Sequence, residues 1–274
     1  MKLKILFLTF LTLTALSCQS QQEIDFKVGY LPNFSYTLTQ KQTSQNKVKY
    51  TGSEEVIKEL TEKGIVNPTI TNNTSTLKSR SKTGELKGDT FSLNVELLES
   101  SNPRLTSGTK FYGKSINGLT KIDSMSSSKM AEEKKAALLK AMESVMNQIK
   151  YPERKIKIGE SFEQKSPISM PIGDVTIEIE INSIYTLQKV ENGIGHFGLD
   201  QVYQLKSATK DYEMSLSGTG NGKIEYDIEK EFFTKYLSEM EMKLVTELNA
   251  FGVELETKSL TEQTTEVKPA GNNE

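Results

Sequence analysis

The chain has 274 residues, of which 26% are charged, with 34 Lys and Arg against 36 Asp and Glu for a formal net charge of −2. Charges of both signs are interspersed, which excludes a basic nucleic-acid-binding footprint, and a mean hydropathy of −0.46 fits a soluble globular domain, not a membrane-embedded one. A single Cys, a single His and no Trp exclude an internal disulfide, a multi-cysteine metal site and a zinc-protease histidine pair.

The amino terminus reads as a targeting signal. Lys2 and Lys4 precede an apolar run from Ile5 to Leu16, shorter than the ~20 residues needed to span a bilayer and suited to a signal-peptide core. Ala15-Leu16-Ser17-Cys18 resembles a bacterial lipobox, with Ala15 where Leu is commoner. Residues 1–17 are expected to be cleaved and Cys18 to be acylated. The mature chain would then have no free thiol and would keep 32 basic against 36 acidic residues, a net charge of −4. Several acyl chains together give durable anchoring. Gln19 rather than Asp after the cysteine points to the outer membrane over the inner, and the presence of only two acids in Gln19–Asp25 favours its periplasmic side over the cell surface. Gln19 to Asp25 reads as a polar tether of seven residues.

Period-two alternation dominates the rest. Phe34, Tyr36 and Leu38 open a strand, and Gln40–Asn46 reads as a polar loop. Ser53 can cap a short helix over Glu54–Lys63 that Gly64 stops. Asn67–Thr76 reads as a second loop. Phe91, Leu93, Val95 and Leu97 alternate before a turn at Ser101-Asn102-Pro103. Asp123-Ser124-Met125 resembles a three-residue O-glycosylation acceptor of Bacteroidota envelope proteins, with Ser124 as the modified residue. The Asn72 and Asn73 sequons carry no weight in a bacterium. A long helix is expected from about Lys129 to Ile149, with Glu132 and Glu133 favouring its dipole and Tyr151-Pro152 ending it. Its stripe Leu138, Met142, Val145, Met146 and Ile149 packs on a sheet or lines an apolar ligand cavity.

Further along, Val175 to Leu187 alternates as a strand with one buried face. Glu191-Asn192-Gly193 turns it into a strand over Ile194–Leu205. This second strand holds His196, which lacks a Gly-x-Ser-x-Gly partner and reads as an edge or surface residue. Gly218-x-Gly220-x-Gly222 reads as a hairpin turn and not a phosphate loop, because Lys223–Ile228 alternates where a helix would be required. Phe232–Val245 fits helix or strand spacing, and the charges between Met240 and Met242 favour the strand. Phe251, Val253 and Leu255 alternate again, and 258–274 reads as a disordered tail. Glu178 with Glu180 and Glu239 with Glu241 could serve hydrolysis only if they faced each other across a cleft.

Three pieces of the second half carry a resemblance: Ile156-Lys157-Ile158-Gly159-Glu160-Ser161-Phe162, the long strand with Tyr185-Thr186-Leu187, and the Gly218–Asp227 stretch ending in Tyr-Asp. Together they resemble an uncharacterised family of Bacteroidota envelope lipoproteins. The resemblance implies a sheet-rich α+β envelope domain and supplies no catalytic residues.

The expected fold is thus α+β: a curved, mostly antiparallel sheet with one long covering helix and one short helix. It fills residues 26–257, and Gly88-Asp89 and Gly173-Asp174, each before a long strand, hint at related halves 26–150 and 151–257. The expected function is non-enzymatic, without cofactor or metal: an envelope lipoprotein binding an apolar ligand or a partner protein. A structural or assembly component of an outer-membrane complex is the alternative, and a carboxylate-dependent hydrolase the third reading. No nucleic acid is expected among its partners.

Overall fold

The structure is a computed structural model, and it describes residues 23–271 apart from 104, 117–118, 129, 149–150, 173–174, 208–212 and 249–250. In chain order the elements are β1 (Glu23–Phe26), β2 (Phe34–Gly52), α1 (Glu54–Glu62), β3 (Thr69–Thr83), β4 (Thr90–Ser100), β5 (Lys110–Ile116), β6 (Leu119–Ser126) and α2 (Glu132–Gln148). These are followed by β7 (Arg154–Lys157), β8 (Ser161–Ile172), β9 (Val175–Glu191), β10 (Ile194–Ser207), β11 (Glu213–Asp227), β12 (Phe232–Leu248) and β13 (Phe251–Pro269). Eleven strands form one antiparallel sheet in the order β6-β5-β4-β3-β2-β13-β12-β11-β10-β9-β8, and β1 pairs with β7 in a separate ribbon. The first and last long strands, β2 and β13, meet along their full length from Phe34↔Pro269 to Gly52↔Phe251. This pairing joins the meander β2–β6 to the meander β8–β13.

The molecule is therefore mostly β, which corrects the α+β expectation. The expected covering helix is also corrected. The 17 residues of α2 span roughly 25 Å at 1.5 Å per residue, against roughly 48 Å across eleven strands. The helix packs over the outer strands β4–β6 and does not reach across the sheet.

Both expected loops are strand. Gln40–Asn46 lies inside β2 and Thr69–Thr76 inside β3. Lys258–Pro269, expected in the tail, belongs to β13. Gly218, Gly220 and Gly222 lie within the continuous β11 and not in a turn. Phe232–Val245 is the strand β12. Asn192 and Gly193, with φ of 51° and 77°, form the two-residue turn between β9 and β10 that their sequence encodes.

The apolar alternation of β8–β12 falls on one face of the sheet, and that face is concave. Phe233 on β12 and Tyr185 on β9 are three strands apart, yet their rings stack with centroids 6.4 Å apart. In a flat sheet those strands would lie roughly 14 Å apart. The glycines of β11 permit this curl. A Cβ on Gly222 would lie 2.4 Å from the carbonyl oxygen of Leu237 on β12, and one on Gly218 would lie 2.8 Å from that of Glu241.

The ribbon β1–β7 closes one end of the concavity. It sets Ile24 opposite Ile156 and inserts Phe26, which is 1% exposed. The Phe26 ring lies 5.0 to 6.4 Å from Tyr151, Phe162, Phe197, Tyr226 and Phe233. A second apolar cluster joins Leu93, Leu97, Phe111 and Ile122 to Leu138, Leu139 and Met142 of α2. A third, of Ile177, Ile179 and Leu244, lies toward the other end of β9–β12.

The middle of the sheet has no such cover. No residue of β2 from Thr37 to Gly52 is buried, none of β13 from Phe251 to Thr264 is buried, and Ile70–Thr76 of β3 are all exposed. Here the molecule is one strand layer thick, with water on both faces.

Candidate functional site

Side chains on the two faces of the uncovered centre differ. On the outward face, β2 contributes Lys47 and Lys49, and the facing residues of β13 are Glu256 and Glu254. They form ion pairs of 3.1 and 3.7 Å. Lys243 of β12 reaches Glu254 at 3.0 Å, and Lys258 reaches Glu241 at 2.7 Å. Hydrogen bonding from Lys243, with the charges of Lys243 and Lys49, holds the Glu254 carboxyl below its ordinary range. A Lys-x-Lys strand beside a Glu-x-Glu strand is a readable sequence signal for this ladder, and the strand spacing alone did not expose it.

On the concave face a polar seam crosses β9–β12. Gln201 Nε2 donates to Ser183 Oγ at 3.0 Å, and Gln201 Oε1 accepts from Tyr203 and Ser238 hydroxyls at 3.2 and 3.4 Å. Gln201 fits there because Gly220 leaves room: a Cβ on Gly220 would lie 3.1 Å from Gln201 Oε1. Burial raises the phenols of Tyr203 and Tyr226 to about 12, so they remain neutral hydrogen-bonding groups.

The edges of the sheet also differ. The outer strand β8 carries Pro167 and Pro171, which offer no N–H to an incoming strand. The outer strand β6 is short and carries Lys121 and Asp123, with a bulge opposite Tyr112 and Gly113. A third edge is unguarded. β3 pairs with β2 from Thr69 to Lys82, but its pairing with β4 starts only at Leu77. Thr69–Thr76 is therefore a sheet edge, and its sequence Thr-Ile-Thr-Asn-Asn-Thr-Ser-Thr has no charge and no proline.

Cys18 and Ile149 lie outside the described residues. Leu138 and Met142 pack against Leu93, Leu97, Phe111 and Ile122. Val145 and Met146 lie in α2, and their side chains are outside the described set. A cleft of about 620 Å³ flanks the helix, lined by Pro103, Leu105, Met130, Lys134, Ala137 and Leu138 with Asn102. Ser124 is exposed on β6. His196 lies on β10, an inner strand, paired to Lys189 and Glu225.

The carboxylate pairs do not face each other across a cleft. Glu178 and Glu180 of β9, and Glu239 and Glu241 of β12, point to the same outward face, opposite to buried Ile177, Ile179, Ser238 and Leu244. Glu180 is hydrogen-bonded to Lys206, which lowers its pKa, so it is a standing anion and not a proton donor. Among the described residues no group of three or more His, Cys, Asp or Glu could hold a metal ion. Among the described residues no helix is long and apolar enough to cross a membrane.

No family model matches the chain, and no curated protein matches it. Solved structures that align over most of its length include these. The outer membrane protein OprG from Pseudomonas aeruginosa is 6% identical, with a TM-score of 0.24 over 89% of this chain and 99% of its own. OpdK from Pseudomonas aeruginosa, with vanillate, is 7% identical with a TM-score of 0.22 over 88% and 100%. Ail, the attachment invasion locus protein of Yersinia pestis, is 7% identical with a TM-score of 0.15 over 85% and 99%.

Proposed function

We propose that this chain is a lipid-anchored, non-enzymatic protein of the bacterial envelope that acts by binding a partner protein along its sheet. The observation that carries the reading is the uncovered centre, where β2, β3 and β13 offer both faces and one edge to solvent. Its side chains are mostly Lys, Glu, Gln, Asn, Ser and Thr, which a packed core of its own would have to desolvate, so the area suits contact with a polar partner surface. The Lys and Glu ladder supports the same reading, since it keeps the outward face soluble without an apolar cover.

Acylation at Cys18 belongs to the proposal. Four residues, Gln19–Gln22, separate Cys18 from β1, fewer than the seven read as tether, because Glu23–Asp25 is strand. They reach roughly 14 Å when extended, which would hold the β1–β7 end of the sheet at the membrane. The outer membrane and its periplasmic side remain the proposed place. An apolar ligand is the second reading, supported by the cleft beside α2.

The test replaces Cys18 with Ser and fractionates cells, then places a photo-cross-linking residue at Leu260 on the sheet centre of the anchored protein. Membrane association that depends on Cys18 and cross-links from Leu260 to one defined protein support the proposal. A soluble wild-type protein, or no adduct from the sheet centre, contradicts it.

A further inference from the structure

We propose that the distal edge of β3 is a strand-addition site that takes an extended, uncharged segment of a partner protein. This rests on the partner-binding reading above and names its place and chemistry. Thr76 fixes which backbone groups face outward. Its N–H donates to Ser101 Oγ, and its carbonyl accepts from Ser101 N–H, so both groups of Thr76 point away from β2. In an antiparallel ladder that direction alternates with period two. Ile70, Asn72 and Thr74 therefore also turn their N–H and C=O groups outward. Among the described residues none of these groups has a backbone partner beyond the ladder with β2.

Such an edge is what sheet proteins normally suppress with Lys, Pro, bulges or a covering element. β8 and β6 have those devices and this segment has none. Ser101 closes one end of it, and Pro68, preceded by a cis peptide bond, closes the other. The gap admits a strand of about seven residues. Exposed Val66 just before it and exposed Ile70 within it, at 69% and 55%, match an apolar residue in the incoming segment. The remaining side chains are small and uncharged, so they pair well with Thr, Asn, Ser or Val and offer a charged strand no ion-pair partner.

A second copy of the chain is the competing occupant. Two identical edges related by a two-fold axis pair antiparallel. That pairing sends the β1–β7 ends, and with them the proposed anchors, in opposite directions, so two copies held in one membrane could meet only lying flat. A strand from another protein has no such restriction.

The test places a photo-cross-linking residue at Asn72 in the full-length anchored protein and maps the adduct by mass spectrometry. The captured segment is then synthesised as a peptide and titrated against the purified protein and against Thr74→Pro. That variant removes one outward N–H and leaves the ladder with β2 intact; an unchanged unfolding midpoint verifies its fold, and Thr74→Lys serves if it fails. The expected result is an uncharged, extended peptide whose affinity falls about tenfold in either variant, with protection of the 70–74 amides from hydrogen exchange on binding. An adduct between two copies, a charged or helical captured segment, or equal affinity in the variants overturns the inference. Adducts from Leu260 with none from Asn72 overturn it while sparing the partner-binding reading.

Discussion

Phe26 shows how much of the architecture depends on single residues. It is supplied by a four-residue strand, and five aromatic rings surround it. Phe26→Ala should destabilise the protein by about 3–5 kcal/mol, read from denaturant unfolding; a loss below about 1 kcal/mol would show that the end closes without it. Gly222 is the second such position. A Cβ there meets a backbone carbonyl at 2.4 Å, whereas nothing lies within 4 Å of a Cβ on Gly29. Gly222→Ala should cost about 1–3 kcal/mol, and Gly29→Ala should be close to neutral. Buried phenols set the alkaline limit. Burial pushes Tyr36, Tyr203 and Tyr226 up to about 12, from the ordinary value of about 10. A raised folded-state value means that their stabilisation is complete below pH ~10 and is lost as pH rises toward 12. Phenolate absorbance should therefore show these tyrosines ionising together with unfolding, not before it.

Among the elements, the long polar strands depend most on their neighbours. Thr has high β-propensity, and the Lys and Glu side chains of β2, β12 and β13 pair across strands. Glu254 has a lowered folded-state pKa because of Lys243 and Lys49. Its contribution is present above the ordinary carboxylate range of about 4.3 and is lost as pH falls through the folded value. Stability should drop in acid with a shallower slope in Glu254→Gln, and added salt should weaken the wild type more than the variant. These strands also mark where sequence reading stopped. β9 and β10 were legible because one face is buried and the apolar residues alternate, as from Ile177 to Leu187. Gln40–Asn46 and Asn67–Thr76 read as loops because a strand wet on both faces has no apolar period to display. Lys258–Pro269 failed for the same reason. The helix boundaries were close, with α1 capped by Ser53 as read, but the sheet's width made α2 a local support and not a lid. The unguarded edge of β3 was invisible, since it depends on where β4 stops pairing.

For the whole molecule, a closed end around Phe26 continues into a sheet one strand thick. β2 alone has 19 residues, roughly 63 Å at 3.3 Å per residue. Anchored through Cys18, such a sheet would carry its exposed centre away from the attachment point while the β1–β7 end stays beside it. The three apolar clusters stabilise a middle that has little core of its own, which leaves that middle available for contact. Thiol labelling reads this arrangement directly, because Cys18 is the only native cysteine. In a Cys18→Ser background, Thr43→Cys and Ser44→Cys place thiols on opposite faces of β2, and Asn72→Cys and Asn73→Cys do so on β3. All four should react with a maleimide in the native protein, Asn72→Cys and Asn73→Cys fastest, while Leu187→Cys stays unlabelled until denaturant is added. Protection of Ser44→Cys and Asn73→Cys with rapid labelling of the other two would mean that the concave face is covered at the centre, and the single-layer description would be wrong.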